Sequence, residues 1–168
     1  FTKIEKVMNT ENFNPLRSLE LIKMENHFNF MAKLYSINKF PKVMMLSGKK
    51  GSGKFTLVNH FLNYIFSKDT YDLKKKSIDN KSKLYNDILS DIFPNIVHLK
   101  NDEKETLKID DIRNLKSKLS KSTLNGKPRF VIIDNAELLN VNCSNGLLKI
   151  LEEPTEDNYF IIIDNQQK

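Results

Sequence analysis

Four short apolar runs along the chain have the pattern of buried parallel strands. They cover residues 42–46, 95–99, 130–134 and 159–163, and the third run, FVIID, is rich in β-branched residues. Each is a continuous apolar run and not an alternation of apolar and polar residues, which is typical of strands covered on both faces. The pattern therefore predicts four strands of one parallel sheet.

Segments with the apolar spacing of amphipathic helices separate these strands. They are Leu19–Ile37 (with a break near Lys23), the segment after the glycine-rich turn that includes Leu57–Ile65, residues 83–92, a helix that starts at Ile109, and residues 144–154. Because strands and helices alternate, we expect an α/β fold, a parallel sheet with helices on both faces. Residues 1–14 are expected to be a lead-in and residues 15–168 one domain. The Lys-rich residues 67–83 are expected to form a solvated loop, and a loop that contacts DNA is the alternative.

Composition narrows the class of protein. The chain has 168 residues, enough for one good core, and no apolar run long enough to cross a bilayer, so we expect a cytoplasmic, bacterial-type protein. The single cysteine, Cys143, excludes an internal disulfide framework and a cysteine-based zinc site. The formal net charge of +6 permits an anionic partner such as nucleic acid, but a Lys- and Asn-rich composition gives the same charge without one.

Residues 48–56, GKKGSGKFT, follow the first predicted strand and fit the phosphate-loop pattern G-x-x-x-x-G-K. The glycines let backbone N–H groups approach a phosphate, the following helix adds its positive end, and Lys54 would reach the outer phosphates. The placement between a strand and an amphipathic helix is the context that this pattern requires. The turn therefore predicts a phosphate-binding loop, with ATP or ADP as possible ligands.

Phe55 departs from the pattern at the position that normally supplies a hydroxyl to Mg²⁺. A phenyl ring cannot coordinate a hard cation, so it is expected to pack against a neighbouring element. Thr56 cannot take over this role, because one step along a helix rotates a side chain by roughly 100°. Phosphate binding by the backbone survives this change, whereas Mg²⁺ binding is expected to be weak or absent.

The end of the third predicted strand also departs from the sequence pattern of an ATP-hydrolysing site. Asp134 occupies the place of a Walker B aspartate, which holds Mg²⁺ through water. Hydrolysing proteins of the AAA+ type follow it with a glutamate that polarises water, but here the next residue is Asn135, which cannot act as a base. Glu137 is expected to be a surface or capping group. The candidate nucleotide-binding residues, whether active or vestigial, are Gly48, Gly51, Ser52, Gly53, Lys54, Phe55, Thr56 and Asp134. No catalytic residue and no metal ligand is expected.

The segment LLKILEEP, residues 147–154, makes a family recognisable. At this distance from Asp134 it resembles the helix ending L-L-K-x-L-E-E-P in the clamp-loader subunits of bacterial DNA polymerase III. Residues 93–99 and 108–115 are similar to segments of the delta-prime group within that family. The tau and gamma subunits usually carry four zinc-binding cysteines after the phosphate-loop helix, and this chain has none there.

The resemblance implies the N-terminal nucleotide-binding domain of an AAA+ clamp-loader subunit, with the helical lid and the collar domain beyond Lys168. Its implied partners are the delta and tau/gamma subunits, the sliding clamp and primer-template DNA, with no membrane. Lys149 would contact DNA or remain a solvated side chain, and Arg113 would serve a subunit interface or a surface ion pair.

Two functions remain open from the sequence. The first is a structural, delta-prime-like loader subunit that assists clamp loading during DNA replication and has little or no ATPase activity of its own. The second is an active P-loop NTPase, either a tau/gamma-type loader subunit or a small-molecule kinase. A kinase would need a mobile basic lid, for which the Lys74–Lys76 run is the candidate, but it would leave LLKILEEP unexplained.

Overall fold

The computed structural model describes residues 14–102 and 106–165, except for the side chain of Leu124. In chain order the helices and strands are α1 (Glu25–Ser36), β1 (Val43–Ser47), α2 (Lys54–Phe66), β2 (Tyr71–Asp72), β3 (Ser77–Ile78), α3 (Lys83–Leu89), β4 (Ile96–Leu99), α4 (Ile109–Leu119), β5 (Arg129–Ile133), α5 (Val141–Glu152) and β6 (Asn158–Asp164). A short 3-10 turn, Pro15–Arg17, precedes α1.

The four predicted strands form one parallel sheet in the order β1-β6-β5-β4. This confirms the predicted fold class, with each strand within a residue or two of its predicted bounds. The order places β6 between β1, which leads into the phosphate loop, and β5, which leads to Asp134. The carboxyl ends of all four strands lie at the same edge, where open parallel sheets bind their ligands.

Helices cover both faces of the sheet, and β5 shows how its side chains are divided. Phe130 and Ile132 belong to the core on the side of α1, α2 and α3, and Val131 and Ile133 belong to the core on the side of α4 and α5. The first core is largely aromatic: the Phe130 ring stacks on Tyr159 at 5.1 Å between centroids. Phe130, Val131, Ile132 and Ile133 of β5 are all buried, which explains their continuous apolar run.

The expectation of a solvated loop over residues 67–83 is wrong, because β2 and β3 form an antiparallel hairpin there. Tyr71 and Ile78 are buried, and the Tyr71 ring stacks on Phe28 at 5.4 Å between centroids. Ile78 N donates to the Leu19 carbonyl at 2.9 Å, so the hairpin also fixes the chain ahead of α1. The Lys74–Lys76 run lies in the hairpin turn and not in a long mobile loop, because the backbone N–H groups of Lys74 and Lys75 both donate to the Asp72 carboxylate.

The helix bounds differ from the predicted ones for local reasons. Helix α1 starts only at Glu25, and the predicted break at Lys23 is confirmed by its left-handed φ of 63°. Helix α5 starts at Val141, ahead of the predicted residue 144, because the Asn140 side chain accepts a hydrogen bond from Cys143 N at 2.9 Å and caps the helix. Gly146 faces α4 closely: a Cβ there would lie 3.1 Å from Ile112 Cγ2. None of the helices in the described ranges combines the length and the apolar content needed to cross a membrane.

Candidate functional site

The phosphate loop connects β1 to α2 at the carboxyl edge of the sheet. Gly51 and Gly53 have φ angles of 79° and 86°, in the left-handed region that favours glycine. A Cβ at Gly51 would meet no atom within 4 Å, so this part of the loop backbone is open. Helix α2 begins directly at Lys54, which adds the positive end of a helix to the loop. The loop therefore has the backbone geometry that receives a phosphate.

Lys54 turns back into its own loop. Its ammonium group donates to the Gly48 carbonyl at 2.9 Å, to the Lys49 carbonyl at 2.7 Å and to Ser52 Oγ at 3.2 Å. The residue is only 7% exposed, and this burial lowers the pKa of the ammonium, while the nearby carboxylates act in the opposite direction. All three donors of the ammonium are thus used within the loop, so a bound phosphate would have to compete with them.

Phe55 packs as expected against a neighbouring element. Its ring lies 4.8 Å from the His98 ring on β4, between centroids, at an interplanar angle of 40°. Burial lowers the pKa of His98 to about 4, so this ring is neutral at pH 7 and brings no charge to the site. Thr56 is buried and lines the same cavity as Lys54.

The ends of β4, β5 and β6 are linked by side-chain amides. Asn135 donates from Nδ2 to the Asn101 carbonyl at 2.6 Å and accepts from Asn165 Nδ2 at 2.6 Å. Asn101 Nδ2 returns a bond to the Asn135 carbonyl at 3.1 Å. Asn135 is left-handed, with a φ of 48°, a conformation that asparagine tolerates better than most residues. The residue after Asp134 therefore serves to join neighbouring strand ends.

Glu137 does not behave as the surface or capping group that the sequence suggested. It lies in a short 3-10 turn, Ala136–Leu138, and its Oε2 accepts a hydrogen bond from Asn165 N at 2.9 Å. It also acts electrostatically on both Lys54 and Asp134. The turn places its carboxylate against the backbone N–H of Asn165, at the end of β6. We refer to Asn101, Asp134, Asn135, Glu137 and Asn165 together as the strand-end cluster.

A cavity of about 600 Å³ lies between the phosphate loop and the strand-end cluster. Sequence reasoning found most of its lining but missed Pro15, Lys50, Ile163 and Asn165. Asn165 directly follows β6, as Asp134 follows β5, so the rule that ligands bind at strand ends could have found it. Pro15 could not be identified from the sequence, because it lies in a 3-10 turn that is distant from the loop along the chain and is brought to the cavity by the fold.

The electrostatics of Asp134 follow from this enclosure. Burial raises the pKa of Asp134. A hydrogen bond that Asn135 N donates to Asp134 Oδ1 at 2.9 Å partly offsets this rise. The negative charge of Glu137 raises the pKa further, whereas Lys54 and Lys50 lower it. The carboxylate is thus held in a site where its ionised form is disfavoured.

The two components of a magnesium nucleotide fit this site differently. The open backbone of the loop, Lys54 and the start of α2 fit a chain of phosphates, and the cavity has room for one. The position beside the loop that would supply a magnesium ligand is filled by the Phe55 ring, packed on His98. The loop and Lys54 therefore fit the phosphates of a nucleotide, whereas Phe55 does not fit the Mg²⁺ that accompanies them.

The other two candidate residues lie away from this cavity, on α4 and α5. Arg113 is exposed and pairs with Asp110 at 2.8 Å, which is the surface ion pair considered from the sequence. Lys149 is exposed on α5 and borders a cavity of about 200 Å³ together with Lys116 of α4. The described structure thus places a pair of lysines, and not Lys149 alone, along the groove between these helices.

Together, the parallel sheet, its strand order and the phosphate loop after β1 define a P-loop NTPase fold of the AAA+ type. The comparisons with known proteins make the assignment specific, because the family described as DNA polymerase III, delta subunit matches residues 23–168. The chain belongs to this family.

Individual relatives agree with this assignment. The chain is similar to DNA polymerase III subunit delta' of Buchnera aphidicola subsp. Schizaphis graminum, with 28% identity over 79% of this chain and 39% of that protein. It is also similar to subunit delta' of Bacillus subtilis, with 27% identity over 73% of this chain and 36% of that protein. The crystal structure of a DNA polymerase III gamma subunit-related protein from Thermotoga maritima shares the fold, with a TM-score of 0.51 and 18% identity over 80% of this chain and 38% of that one. The chain thus spans less than two fifths of these relatives.

Proposed function

We propose that this chain is the AAA+ domain of a delta-prime-type clamp-loader subunit that serves as a structural member and does not hydrolyse ATP itself. In this role it works with the delta and tau/gamma subunits to place a sliding clamp on primer-template DNA, in the cytoplasm of a bacterial cell. Membership of the family supports the loader role. The names of its relatives, DNA polymerase III subunit delta', point to the same group.

The observation that carries the non-hydrolysing role is the use of Asn135. At the position where a hydrolysing AAA+ protein requires a water-polarising carboxylate, the side chain is an amide bonded to Asn101 and Asn165. An amide cannot accept a proton at neutral pH, and this one is also held in place by both neighbours. Phe55 removes the magnesium ligand from the opposite side of the same cavity. Either change alone impairs hydrolysis, and together they leave neither the metal nor the base in place.

The experiment measures ATP turnover by the purified protein, alone and with sliding clamp and primed DNA. We expect no hydrolysis above that of the matched Lys54→Ala preparation, which controls for contaminating ATPases. A turnover rate that Lys54→Ala abolishes would instead support the second function considered from the sequence, an active P-loop NTPase.

The loader role also predicts a contact between DNA phosphates and the groove between α4 and α5. Lys116 and Lys149 line this groove together with Glu153, and neither lysine belongs to an ion pair among those found in the described residues. Lys149→Ala should weaken DNA binding by the assembled loader and reduce the slope of log K against log salt by about 0.9, the value expected for one lost phosphate contact. Lys39→Ala, an exposed lysine next to α1 on the other face of the sheet, is the matched control. An unchanged slope for Lys149→Ala would exclude this contact.

A further inference from the structure

The hairpin of β2 and β3 lies in a strongly basic part of the chain. Residues 67–83 contain six lysines and three aspartates, a net charge of +3, which is half of the formal net charge of +6 that the 168 residues carry. The hairpin residues that enter the core are Tyr71 and Ile78. The packing of the hairpin therefore does not account for its lysines.

The backbone of the turn between β2 and β3 is held in one conformation. The Asp72 carboxylate accepts hydrogen bonds from the N–H groups of Lys74 and Lys75, each at 2.9 Å. Lys76 has a left-handed φ of 52°, and its carbonyl accepts a hydrogen bond from Leu21 N at 3.0 Å. Because Leu21 belongs to the segment ahead of α1, the turn is fixed both from within and from a neighbouring segment. Its lysines are therefore presented on an ordered backbone.

Two lysines of this region are positioned against one pair of aromatic rings. The Lys76 ammonium lies 5.0 Å from the centroid of the Phe28 ring and donates to the Leu73 carbonyl at 2.6 Å. The Lys68 ammonium lies 5.6 Å from the centroid of the Tyr64 ring. The Phe28 and Tyr64 rings pack edge to face at 5.6 Å between centroids. A cation–π contact positions an ammonium group without neutralising its charge, so both lysines remain available to an anion.

The carboxylates of this region do not neutralise its lysines. Residues 68–76 contain four lysines and two aspartates, and the carboxylate of Asp72 is already used by two backbone N–H groups. None of the four lysines belongs to an ion pair among those found in the described part of the chain. We refer to these lysines together as the basic hairpin surface: Lys68, Lys74, Lys75 and Lys76.

We propose that the basic hairpin surface binds the phosphate backbone of duplex DNA. DNA presents closely spaced phosphates, which several positioned ammonium groups can neutralise together without reading the sequence. An ordered turn also reduces the entropy that is lost on binding. The inference rests on the proposed loader role for the choice of DNA as the polyanion.

This contact is separate from the one proposed for the groove between α4 and α5. Tyr71 and Ile78 of the hairpin pack in the core on the side of α1, α2 and α3, whereas α4 and α5 cover the opposite face of the sheet. The two surfaces therefore lie on different faces of the domain, and substitutions in one can be compared with substitutions in the other.

The test measures binding of a labelled duplex of mixed sequence to the full-length protein, by fluorescence anisotropy at several salt concentrations. Lys74→Ala combined with Lys75→Ala should weaken binding and reduce the slope of log K against log salt by about 1.8, the value for two lost phosphate contacts. Lys39→Ala combined with Lys127→Ala removes the same charge at two exposed lysines ahead of β1 and β5 and should leave the slope unchanged. Equal slopes for the two double variants, or no measurable binding by the wild-type protein, would overturn the proposal.

Two further variants separate charge from folding. Lys74→Arg combined with Lys75→Arg keeps the charge and should retain the wild-type slope, so a loss of binding in this variant would contradict an electrostatic contact. Melting curves establish that each variant is folded. Lys68→Ala lies outside the turn and should reduce the slope by about 0.9. This variant decides the question if the alanine variant of the turn does not fold.

Competition with polyglutamate distinguishes DNA from an acidic protein segment. The competition uses the Lys149→Ala protein, so that Lys149 in the groove between α4 and α5 does not contribute. Unlabelled duplex should displace the labelled duplex at a charge concentration at least about ten-fold lower than polyglutamate does, because duplex DNA carries its charges at a higher density. Equal competition would indicate an acidic protein partner and overturn the assignment to DNA.

The outcomes also distinguish this inference from the proposed function. A wild-type slope in the alanine variant of the turn, together with a reduced slope in Lys149→Ala, would refute the hairpin contact and leave the loader role in place. ATP turnover that requires Lys54 would contradict the non-hydrolysing role, whatever the hairpin binds.

Discussion

The phosphate loop and the strand-end cluster face each other across one cavity, yet their residues are used in opposite ways. The loop keeps an open backbone, with Gly51 and Gly53 in left-handed conformations and a lysine whose ammonium group lies within it. In the strand-end cluster, the polar groups bond to one another, and Asn135 joins the ends of three strands. The loop thus keeps the backbone conformation that a phosphate loop needs, whereas the side chain that follows Asp134 is used to link strand ends.

The largest expected effect is that of removing the Asn135 side chain. Asn135→Ala should lower the free energy of unfolding by about 2–3 kcal/mol, from two lost side-chain hydrogen bonds at about 1 kcal/mol each and a left-handed backbone that alanine tolerates less well. Urea unfolding measures the change. Exposed Asn125, which is also left-handed with a φ of 63°, is the matched control. Asn125→Ala should lose only the backbone contribution of about 1 kcal/mol. Equal losses would show that the amide links do not stabilise the strand-end cluster.

A smaller effect is expected on the loop side. Lys54→Met, measured without nucleotide, should lower the free energy of unfolding by about 1 kcal/mol, because the Gly48 and Lys49 carbonyls lose their donor. The loss stays small since the variant no longer buries a charge. Lys50→Met, at an exposed lysine of the same loop, should change stability by less than about 0.5 kcal/mol. A more stable Lys54→Met variant would mean that the ammonium is held for a ligand at the expense of the fold.

The smallest effect concerns the charge of Asp134 and depends on pH. Burial raises the pKa of Asp134 in the folded chain above its unfolded value, so the folded state prefers the protonated carboxyl. Asp134→Asn should therefore raise the free energy of unfolding at pH 7. This gain should shrink as the pH falls through the folded-state pKa and vanish below the unfolded-state pKa. A gain that grows toward acidic pH would contradict the assignment.

Most of the sheet could be predicted from the sequence, because strands buried on both faces must be apolar throughout. β5 is the clearest case, with its four apolar residues, Phe130–Ile133, all buried. The hairpin of β2 and β3 could not be predicted in this way. Its strands are two residues long, and only Tyr71 and Ile78 enter the core, so the lysines between them dominate the pattern. The contact that fixes it, from Ile78 to Leu19, joins distant parts of the chain.

The candidate site likewise has a part that can be predicted from the sequence and a part that cannot. A glycine-rich turn has a local cause and a local sequence pattern, so the phosphate loop and Lys54 could be found directly. The position of Glu137 depends on the short turn after Asp134 and on the backbone N–H of Asn165, and neither contact has a pattern in the sequence. The identity of residue 135 alone could not show that its amide is hydrogen-bonded to both Asn101 and Asn165. The identity of the residue excluded a base, and only the structure showed what the amide does instead.

Reversing either departure from an active site would cost the fold a contact. A change of Asn135 to glutamate would lose the hydrogen bond that its Nδ2 donates to the Asn101 carbonyl. A change of Phe55 to serine would lose the ring contact with His98. Under the proposed non-hydrolysing role, both changes are needed to supply a base and a magnesium ligand. Each single change therefore costs a contact and supplies only one of the two groups that hydrolysis requires.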